Sequence, residues 1–318
     1  MFDNISDFWK KYELVNSSDS HIPSYSKSKV CRYCEKTIAD TTFSQKTHLM
    51  PELLGKNNLL TFDECDSCNK LFSNYESNLS TFIRPYISIF GVNGKKKVPT
   101  FQSRMLNTKD EKRTTFKHIG PNHKMLQIEC LNDYFVNPEN KTCEILFRQP
   151  PFVPLKVYRA LLKIGLSLLS GKLDKYNKRS FEWLTNRTED LTFINQAYIT
   201  TLQKSYFIKA SADLYRARKL HEENIEYPEH VLTLCYANQV IQIFLPFSDE
   251  FQNIHNATRT LSLNFCPAFA FEKIKLPQTI KIETYNLGIS NSVTENLRVT
   301  FNYGSADLNI TSCRLSLK

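Results

Sequence analysis

Two cysteine pairs enclose a histidine in the N-terminal part of the chain. The pairs are Cys31-x-x-Cys34 and Cys65-x-x-Cys68. Two such pairs can bind one zinc ion through four thiolates, which makes the segment between them a small rigid frame. His48 lies between the pairs, and Asn69 directly follows the last cysteine. A structural zinc site needs only the cysteines, so the histidine and the asparagine suggest chemistry in addition to scaffolding.

The composition indicates a folded protein in a reducing compartment. The chain has 318 residues, of which 41% are hydrophobic, and a formal net charge of +9. It contains no apolar run of the ~20 residues that span a bilayer and begins without the apolar region of a secretory signal. We therefore expect a cytoplasmic protein without a membrane association. Thiols stay reduced there, so the paired cysteines are expected to bind metal rather than form disulfides.

The other cysteines are scattered singly among apolar neighbours, and we expect them to be buried small hydrophobic residues. They are Cys130, Cys143, Cys235, Cys266 and Cys313. The positive net charge is compatible with a polyanionic partner such as nucleic acid, although many soluble proteins are basic.

Hydrophobic periodicity predicts an α+β fold. A short helix is expected up to about residue 14, and a longer one over Leu155–Leu169. Ser180–Asn186 could form a further helix. Two strands over Val231–Ala237 and Val240–Leu245 are expected to form a hairpin. Further strands are predicted over Met125–Cys130, Cys143–Phe147, Leu261–Phe265, Thr279–Thr284 and Leu297–Phe301.

These elements suggest a division into four segments. A glycine- and lysine-rich tract near residue 97 and a proline cluster near residue 150 supply two of the boundaries. The segments are an N-terminal helix and linker (1–26), a cysteine-framed module (27–97), a β-rich connector (98–150) and an α+β domain (151–318).

The module resembles the HNH endonuclease family, whose core is the ββα-metal fold. The resemblance covers about Val30 to Leu79 and rests on motifs in the family's order. They are Cys31-x-x-Cys34, His48-x-x-Pro51, Asn58-Leu59 and Cys65-x-x-Cys68-Asn69. The run from His48 to Glu76 is similar to a bacterial branch of the family that carries a long C-terminal extension. We expect Thr41–Lys46 to form a strand and a helix to begin at Cys65–Cys68.

The resemblance implies a metal-dependent phosphodiester hydrolase. His48 would act as the general base that takes a proton from the attacking water. A divalent cation, Mg²⁺ or Mn²⁺, would stabilise the negative charge of the transition state. Asn69 would contribute an oxygen ligand to this cation, and Asn58 would hold the loop or orient His48. The zinc bound by the four cysteines would be structural.

One position departs from the family pattern. Many HNH enzymes have an aspartate just before the histidine as a metal ligand, whereas this chain has Thr47. Glu52, Glu64 and Glu76 are alternative sources of the second oxygen ligand, and Glu76 lies two helical turns after Asn69. Water filling this ligand position is a further alternative. A salt-bridged or solvated carboxylate at Glu76 is the alternative interpretation. The two asparagines could likewise be turn and helix-capping residues.

The sequence therefore predicts an endonuclease acting on DNA, with a role in bacterial restriction or phage defence. The alternative is a zinc-stabilised module that binds nucleic acid or protein and has lost catalysis. The C-terminal half would recognise a target, bind a regulatory partner protein or sense a ligand. A homodimer would suit symmetric double-strand cleavage.

Overall fold

The fold contains helices and antiparallel sheets, which confirms the predicted α+β class. The structure is a computed structural model that describes residues 10–20, 29–55, 57, 59–104, 113–120, 125–129, 134–169, 177–189, 191, 193–202, 207–218, 228–248, 280–309 and 314–317.

The element bounds are as follows. The helices are α1 (Asp66–Ile89), α2 (Pro154–Leu168) and α3 (Lys178–Leu184). The strands are β1 (Tyr12–Ser17), β2 (Thr47–His48), β3 (Leu60–Thr61), β4 (Phe101–Arg104), β5 (Arg113–Ile119), β6 (Met125–Glu129), β7 (Tyr134–Asn137), β8 (Thr142–Arg148), β9 (Gln196–Leu202), β10 (Phe207–Ala217), β11 (His230–Ala237), β12 (Gln239–Phe244), β13 (Ile280–Asn286), β14 (Asn296–Asn302), β15 (Ala306–Asn309) and β16 (Arg314–Leu317).

The first sheet has six antiparallel strands in the order β1-β10-β11-β12-β9-β13. Its central hairpin joins β11 and β12 through Asn238, as the sequence predicted. The two strands are buried along their whole length, and α2 packs against them. Ala237 turns the chain with a φ of 46°.

The second sheet has eight strands, in the order β14-β8-β4-β5-β6-β16-β15 with β7 also paired to β8. Strands β14 to β16 come from the C-terminal end of the chain, whereas β4 to β8 come from the predicted connector. The two sheets therefore do not follow the linear division at residue 150. A stacked and edge-on cluster of Phe101, Phe116 and Phe147 forms part of the core of this sheet.

Helix α1 contains a proline, and a side chain from outside the helix donates the hydrogen bond that the proline cannot make. Pro85 has no N–H to donate to the carbonyl of Thr81, four residues earlier. The side chain of Gln149 donates to this carbonyl and to that of Phe82, both at 2.9 Å. The helix thus stays continuous over 24 residues.

Helix α2 is the central element of the main core. Most of its residues are buried, which is typical of a helix enclosed on several sides. It packs against α1 on one side and against strands of the six-stranded sheet on the other. Its bounds agree with the predicted Leu155–Leu169 within a residue, and α3 covers most of the predicted Ser180–Asn186.

The N-terminal segment differs from its prediction. Tyr12–Ser17 form strand β1, where the sequence predicted the end of a helix and the start of a linker. Lys10 and Lys11 are helical, so the departure from the prediction begins at Tyr12, where pairing with β10 and burial of the side chain, whose hydroxyl donates to the carbonyl of Pro228 at 2.7 Å, favour a strand. The apolar residues that suggested the helix, at positions 2 to 9, lie outside the described residues, as does the predicted strand Leu261–Phe265. Within the described part of the chain, no helix has the length and apolar character to cross a bilayer.

Candidate functional site

The four cysteine sulfur atoms, two from the segment before β2 and two from the start of α1, converge on one point. All lie within 4.8 Å of one another, and the distances Cys31–Cys68 and Cys34–Cys65 are 3.8 Å and 3.7 Å. Sulfur atoms at the corners of a tetrahedron around zinc are about 3.8 Å apart, given Zn–S bonds of about 2.3 Å. The predicted ligands are thus placed as a structural zinc ion requires, and we call this group the four-cysteine frame.

The thiols of the four-cysteine frame favour a bound cation electrostatically. A hydrogen bond with Cys68 lowers the pKa of Cys31 to about 5, whereas burial raises the pKa of Cys34 to about 11. Four thiolates this close repel one another unless a cation neutralises them. The Cys65 and Cys68 backbone N–H groups add donors to sulfur, both at 3.5 Å.

Helix α1 begins inside the frame, as the sequence predicted. Cys65 is its N-cap and accepts from the N–H of Cys68. Asp66 accepts from the backbone N–H groups of Ser44 and Gln45 at 2.9–3.1 Å. This carboxylate therefore ties the start of the helix to the segment that leads into β2.

Strands β2 and β3 form a two-stranded antiparallel pair that precedes α1. The first strand is Thr47–His48 rather than the predicted Thr41–Lys46, and residues 41–44 have no regular structure. The hydroxyl of Thr47 is buried and lies 2.6 Å from the carbonyl and 2.8 Å from the hydroxyl of Thr61. Thr47 thus stabilises the strand pair.

His48 is held through its Nδ1 atom by Asn57. The distance from Nδ1 to Asn57 Oδ1 is 3.3 Å. The amide nitrogen of Asn57 donates to the carbonyls of Met50 and Gly55 at 3.2 and 3.1 Å, and its oxygen also accepts from the N–H of Leu59. These bonds fix the orientation of the amide, so Oδ1 faces the imidazole and Nδ1 must be the protonated nitrogen.

The sequence assigned the orienting role to Asn58, which lies outside the described residues. Asn57 carries the observed contact. The family pattern did not separate two adjacent asparagines, but an Asx turn two residues before Leu59 is a local signal for Asn57.

The Nε2 edge of the imidazole lies near a carboxylate. Nε2 is 3.8 Å from Glu52 Oε1, and 20% of the His48 side chain is exposed. Glu52 Oε2 accepts from Lys95 at 2.7 Å, and this hydrogen bond lowers the pKa of Glu52. Glu52 is therefore an ionised carboxylate beside the basic nitrogen.

A buried lysine lies beneath the strand of His48. Lys163 of α2 donates from Nζ to the carbonyl of His48, and Nζ is 3.5 Å from both Glu64 Oε2 and Glu76 Oε1. Sequence reasoning missed Lys163, although a charged residue inside the apolar run of a predicted helix is a signal for such a role. We call Lys163, Glu64 and Glu76 the buried charge cluster.

Burial affects the two carboxylates of this cluster differently. Glu64 is buried, and desolvation raises its pKa to about 7. Glu76 is 27% exposed and faces both Lys163 and the solvent. The predicted ligand Glu76 is thus a salt-bridged carboxylate that keeps part of its surface accessible.

Asn69 occupies the first turn of α1, where its backbone N–H donates to the carbonyl of Cys65 at 2.9 Å. Its side chain is half-buried. Within the described residues, no hydrogen bond joins it to His48 or Glu76. The structure therefore brings His48 together with Asn57 and Glu52, and among the described residues it shows no hydrogen bond between the predicted ligands Asn69 and Glu76.

Two other predicted features lie away from this site. Cys143 and Cys235 are buried, as expected for small hydrophobic residues, while Cys130, Cys266 and Cys313 fall outside the described residues. A cavity of about 410 Å³ is lined by Gln102, Ser103, Arg148, Gln149, Pro150, Pro151 and Thr294, and by none of the site residues.

Comparisons of the chain with protein-family models, with curated proteins and with solved structures find no match.

Proposed function

We propose that the chain is a metal-dependent endonuclease that hydrolyses phosphodiester bonds in DNA, with His48 as the general base. The observation that carries the proposal is the orientation of His48 beside the four-cysteine frame. Because Asn57 accepts from Nδ1, a neutral His48 has its lone pair on Nε2. The His48 side chain is partly exposed, and in this proposal Nε2 takes the proton of an attacking water.

The four-cysteine frame supplies rigidity in this proposal. Its sulfur spacing fits zinc, and four protein ligands leave the ion no open position for chemistry. His48 lies in the strand pair that precedes α1, the helix whose N-cap is Cys65.

A second cation, Mg²⁺ or Mn²⁺, belongs to the proposal because such ions neutralise charge on a reacting phosphate. Asn69 and the exposed edge of Glu76 offer oxygen atoms of the type that Mg²⁺ prefers, and Mg²⁺ keeps several waters so that few protein ligands suffice. Glu52, beside His48, is the other carboxylate that fits this requirement.

DNA as the substrate rests on the resemblance to HNH endonucleases and on the net charge of +9. The same resemblance suggests a bacterial restriction or phage-defence role. Control by a partner protein or a ligand through the C-terminal half, and cleavage as a homodimer, are further parts of this proposal.

The second candidate function is a zinc-stabilised binding module without catalysis. Specific contacts favour it: Thr47 is engaged by Thr61, Glu52 by Lys95 and Glu76 by Lys163. In this alternative, the ammonium groups neutralise the carboxylates that a catalytic cation would need.

A plasmid-nicking assay separates the two functions. The zinc-loaded chain is incubated with supercoiled DNA and Mg²⁺ or Mn²⁺, beside His48→Ala and a matched variant, His118→Ala, whose histidine lies on β5. We expect nicking by the wild type and His118→Ala. In His48→Ala the rate should fall by about 10² or more, the typical contribution of a general base.

Expression toxicity in bacteria provides a second readout, because a nuclease that needs a cellular activator is silent in purified form. The binding-module function is favoured if neither metal supports nicking and His48→Ala is as toxic, or as harmless, as the wild type.

A further inference from the structure

Lys163 connects the C-terminal half of the chain to the segment that carries His48. Its side chain is only 2% exposed, so it cannot reach a bound phosphate. Its partners are the carbonyl of His48 and the carboxylates of Glu64 and Glu76. These partners lie in three different segments. They are the strand of His48, the residue before Cys65, and the part of α1 two turns beyond Asn69.

The charge balance predicts that replacement of this lysine is unfavourable. Two carboxylates face one ammonium; Lys163 and Glu64 are buried, whereas Glu76 is partly exposed. A buried ion without a partner is strongly unfavourable, so removal of Lys163 leaves the buried carboxylate of Glu64 without its counter-charge. The carbonyl of His48 loses its donor at the same time.

Helix α2, which carries Lys163, is itself fixed between the frame and the six-stranded sheet. On the sheet side, the hydroxyl of Tyr158 donates to the carbonyl of Phe244 at 2.8 Å. Gly165 lies so close to Leu245 that an added Cβ would be 3.1 Å from its side chain. The position of Lys163 is therefore set by the sheet.

The frame also contacts the C-terminal end of α2. Arg32, in the first cysteine pair, donates to the carbonyls of Ser167 and Leu169. The hydroxyl of Tyr33 is 2.6 Å from that of Ser167. A movement of α2 would therefore displace both the segment of the first cysteine pair and His48.

We propose that Lys163 is a positioning residue for His48, and that the site is complete only when α2 is docked against the frame. This inference rests on the proposed function for its activity readout and deepens it. It places control of the site in the contact between α2 and the frame, through which the C-terminal half can act.

The test uses the full-length zinc-loaded chain with Lys163→Met, Lys163→Arg and the control Lys178→Met. Lys178 is an exposed lysine of α3 that pairs with Glu182. The ¹³C and ¹⁵N resonances of the His48 imidazole report its environment, and nicking kinetics report kcat and KM separately.

We expect Lys163→Met to shift the His48 resonances and to lower kcat by about 10²-fold, the effect of misplacing a catalytic group by about 1 Å. KM for DNA should change little, because Lys163 does not touch the substrate. Lys163→Arg keeps the positive charge and the hydrogen-bond donors. We expect it to lower kcat by no more than about 10-fold. Lys178→Met should match the wild type.

If Lys163→Met does not fold or loses zinc, the double variant Lys163→Met/Glu64→Gln takes its place, because it removes both buried charges. It should retain zinc and still show displaced His48 resonances and a lowered kcat. Unchanged resonances and kcat in a folded, zinc-loaded variant would overturn the inference.

The resonances also separate this inference from the proposed function. If the wild type nicks no DNA while Lys163→Met alone shifts His48, the nuclease function fails and the positioning role is supported. If the wild type nicks DNA and neither resonances nor kcat respond to Lys163→Met, the nuclease function stands and the positioning role fails.

Discussion

The four-cysteine frame and the six-stranded sheet are stabilised by different forces. The frame closes over 37 residues between Cys31 and Cys68 and needs a cation to hold its thiolates together. The sheet joins β1, near the N-terminus, to β10 and β11 in the C-terminal half, and its central strands are buried along their whole length.

The difference has a consequence for His48. Its side chain is oriented by Asn57, which is close in sequence, but its backbone carbonyl accepts a hydrogen bond from the distant Lys163. Lys163 lies on the helix that packs against the sheet. The candidate site therefore depends on both regions, although all the residues that suggested chemistry lie in one.

The largest expected effect is loss of the metal. Cys65→Ser should reduce zinc from about one ion per chain to nearly none. It should also lower the free energy of unfolding of the frame by more than about 4 kcal/mol, because structural zinc binding contributes about 10–16 kcal/mol in small domains. Metal analysis and chemical unfolding measure the two quantities.

Cys143→Ala is the matched control for this prediction. Cys143 is a buried thiol of the second sheet, and its replacement should leave the zinc content unchanged. Full zinc occupancy in Cys65→Ser would show that the metal site is elsewhere.

The stability of the six-stranded sheet should instead fall in acid, because of His230. This residue is buried at the start of β11, and burial lowers its pKa to about 3. Glu229 Oε1 is 3.7 Å from the ring but accepts from Ser248, so it compensates little. The neutral imidazole is favoured in the folded state, whereas the unfolded chain takes up a proton below about pH 6.5.

A depressed folded-state pKa gives stability above about pH 6.5 that is lost as the pH falls towards 3. At pH 5 the loss should be about 2 kcal/mol. Urea unfolding at pH 7 and pH 5 should show this loss in the wild type and a smaller one in His230→Gln. Equal losses in both proteins would mean that another group controls the acid sensitivity.

The smallest expected effect lies within the frame. Asn57→Ala should cost about 1–2 kcal/mol, because it removes hydrogen bonds to two carbonyls and to Nδ1 of His48. The ¹⁵N shifts of His48 should change from a single tautomer to a mixture. Zinc content should not change, since no ligand is touched.

Asn137→Ala is the control for this variant. Asn137 accepts from the N–H of Asn140 in the turn after β7, a similar local bond far from the frame in sequence. A His48 tautomer that is unchanged in Asn57→Ala would contradict the orienting role.

Several elements were predictable because their signals are local. The apolar spacing of residues 155–169 and the alternation around Asn238 gave α2 and the β11–β12 hairpin nearly to their ends. The cysteine spacing gave the four zinc-site ligands. In each case neighbouring residues contain the whole pattern.

Other elements failed because their partners are distant. Tyr12–Ser17 form a strand only because β10, far along the chain, offers an edge for pairing. Thr47–His48 form a strand because Leu60–Thr61 face them. No periodicity within a short segment records such long-range pairing, so tertiary contacts decided these elements.

The sequence by itself determined the four-cysteine frame and the presence of His48 within it, since ligand types and short spacings define a tetrahedral site. Only the tertiary structure decided that Asn57 orients His48, that Thr47 is engaged by Thr61 and that Lys163 lies beneath the histidine. The physical reason is burial: Lys163 is 115 residues away from His48 in sequence, and the packed core brings its ammonium against the backbone of His48 and the carboxylate of Glu64.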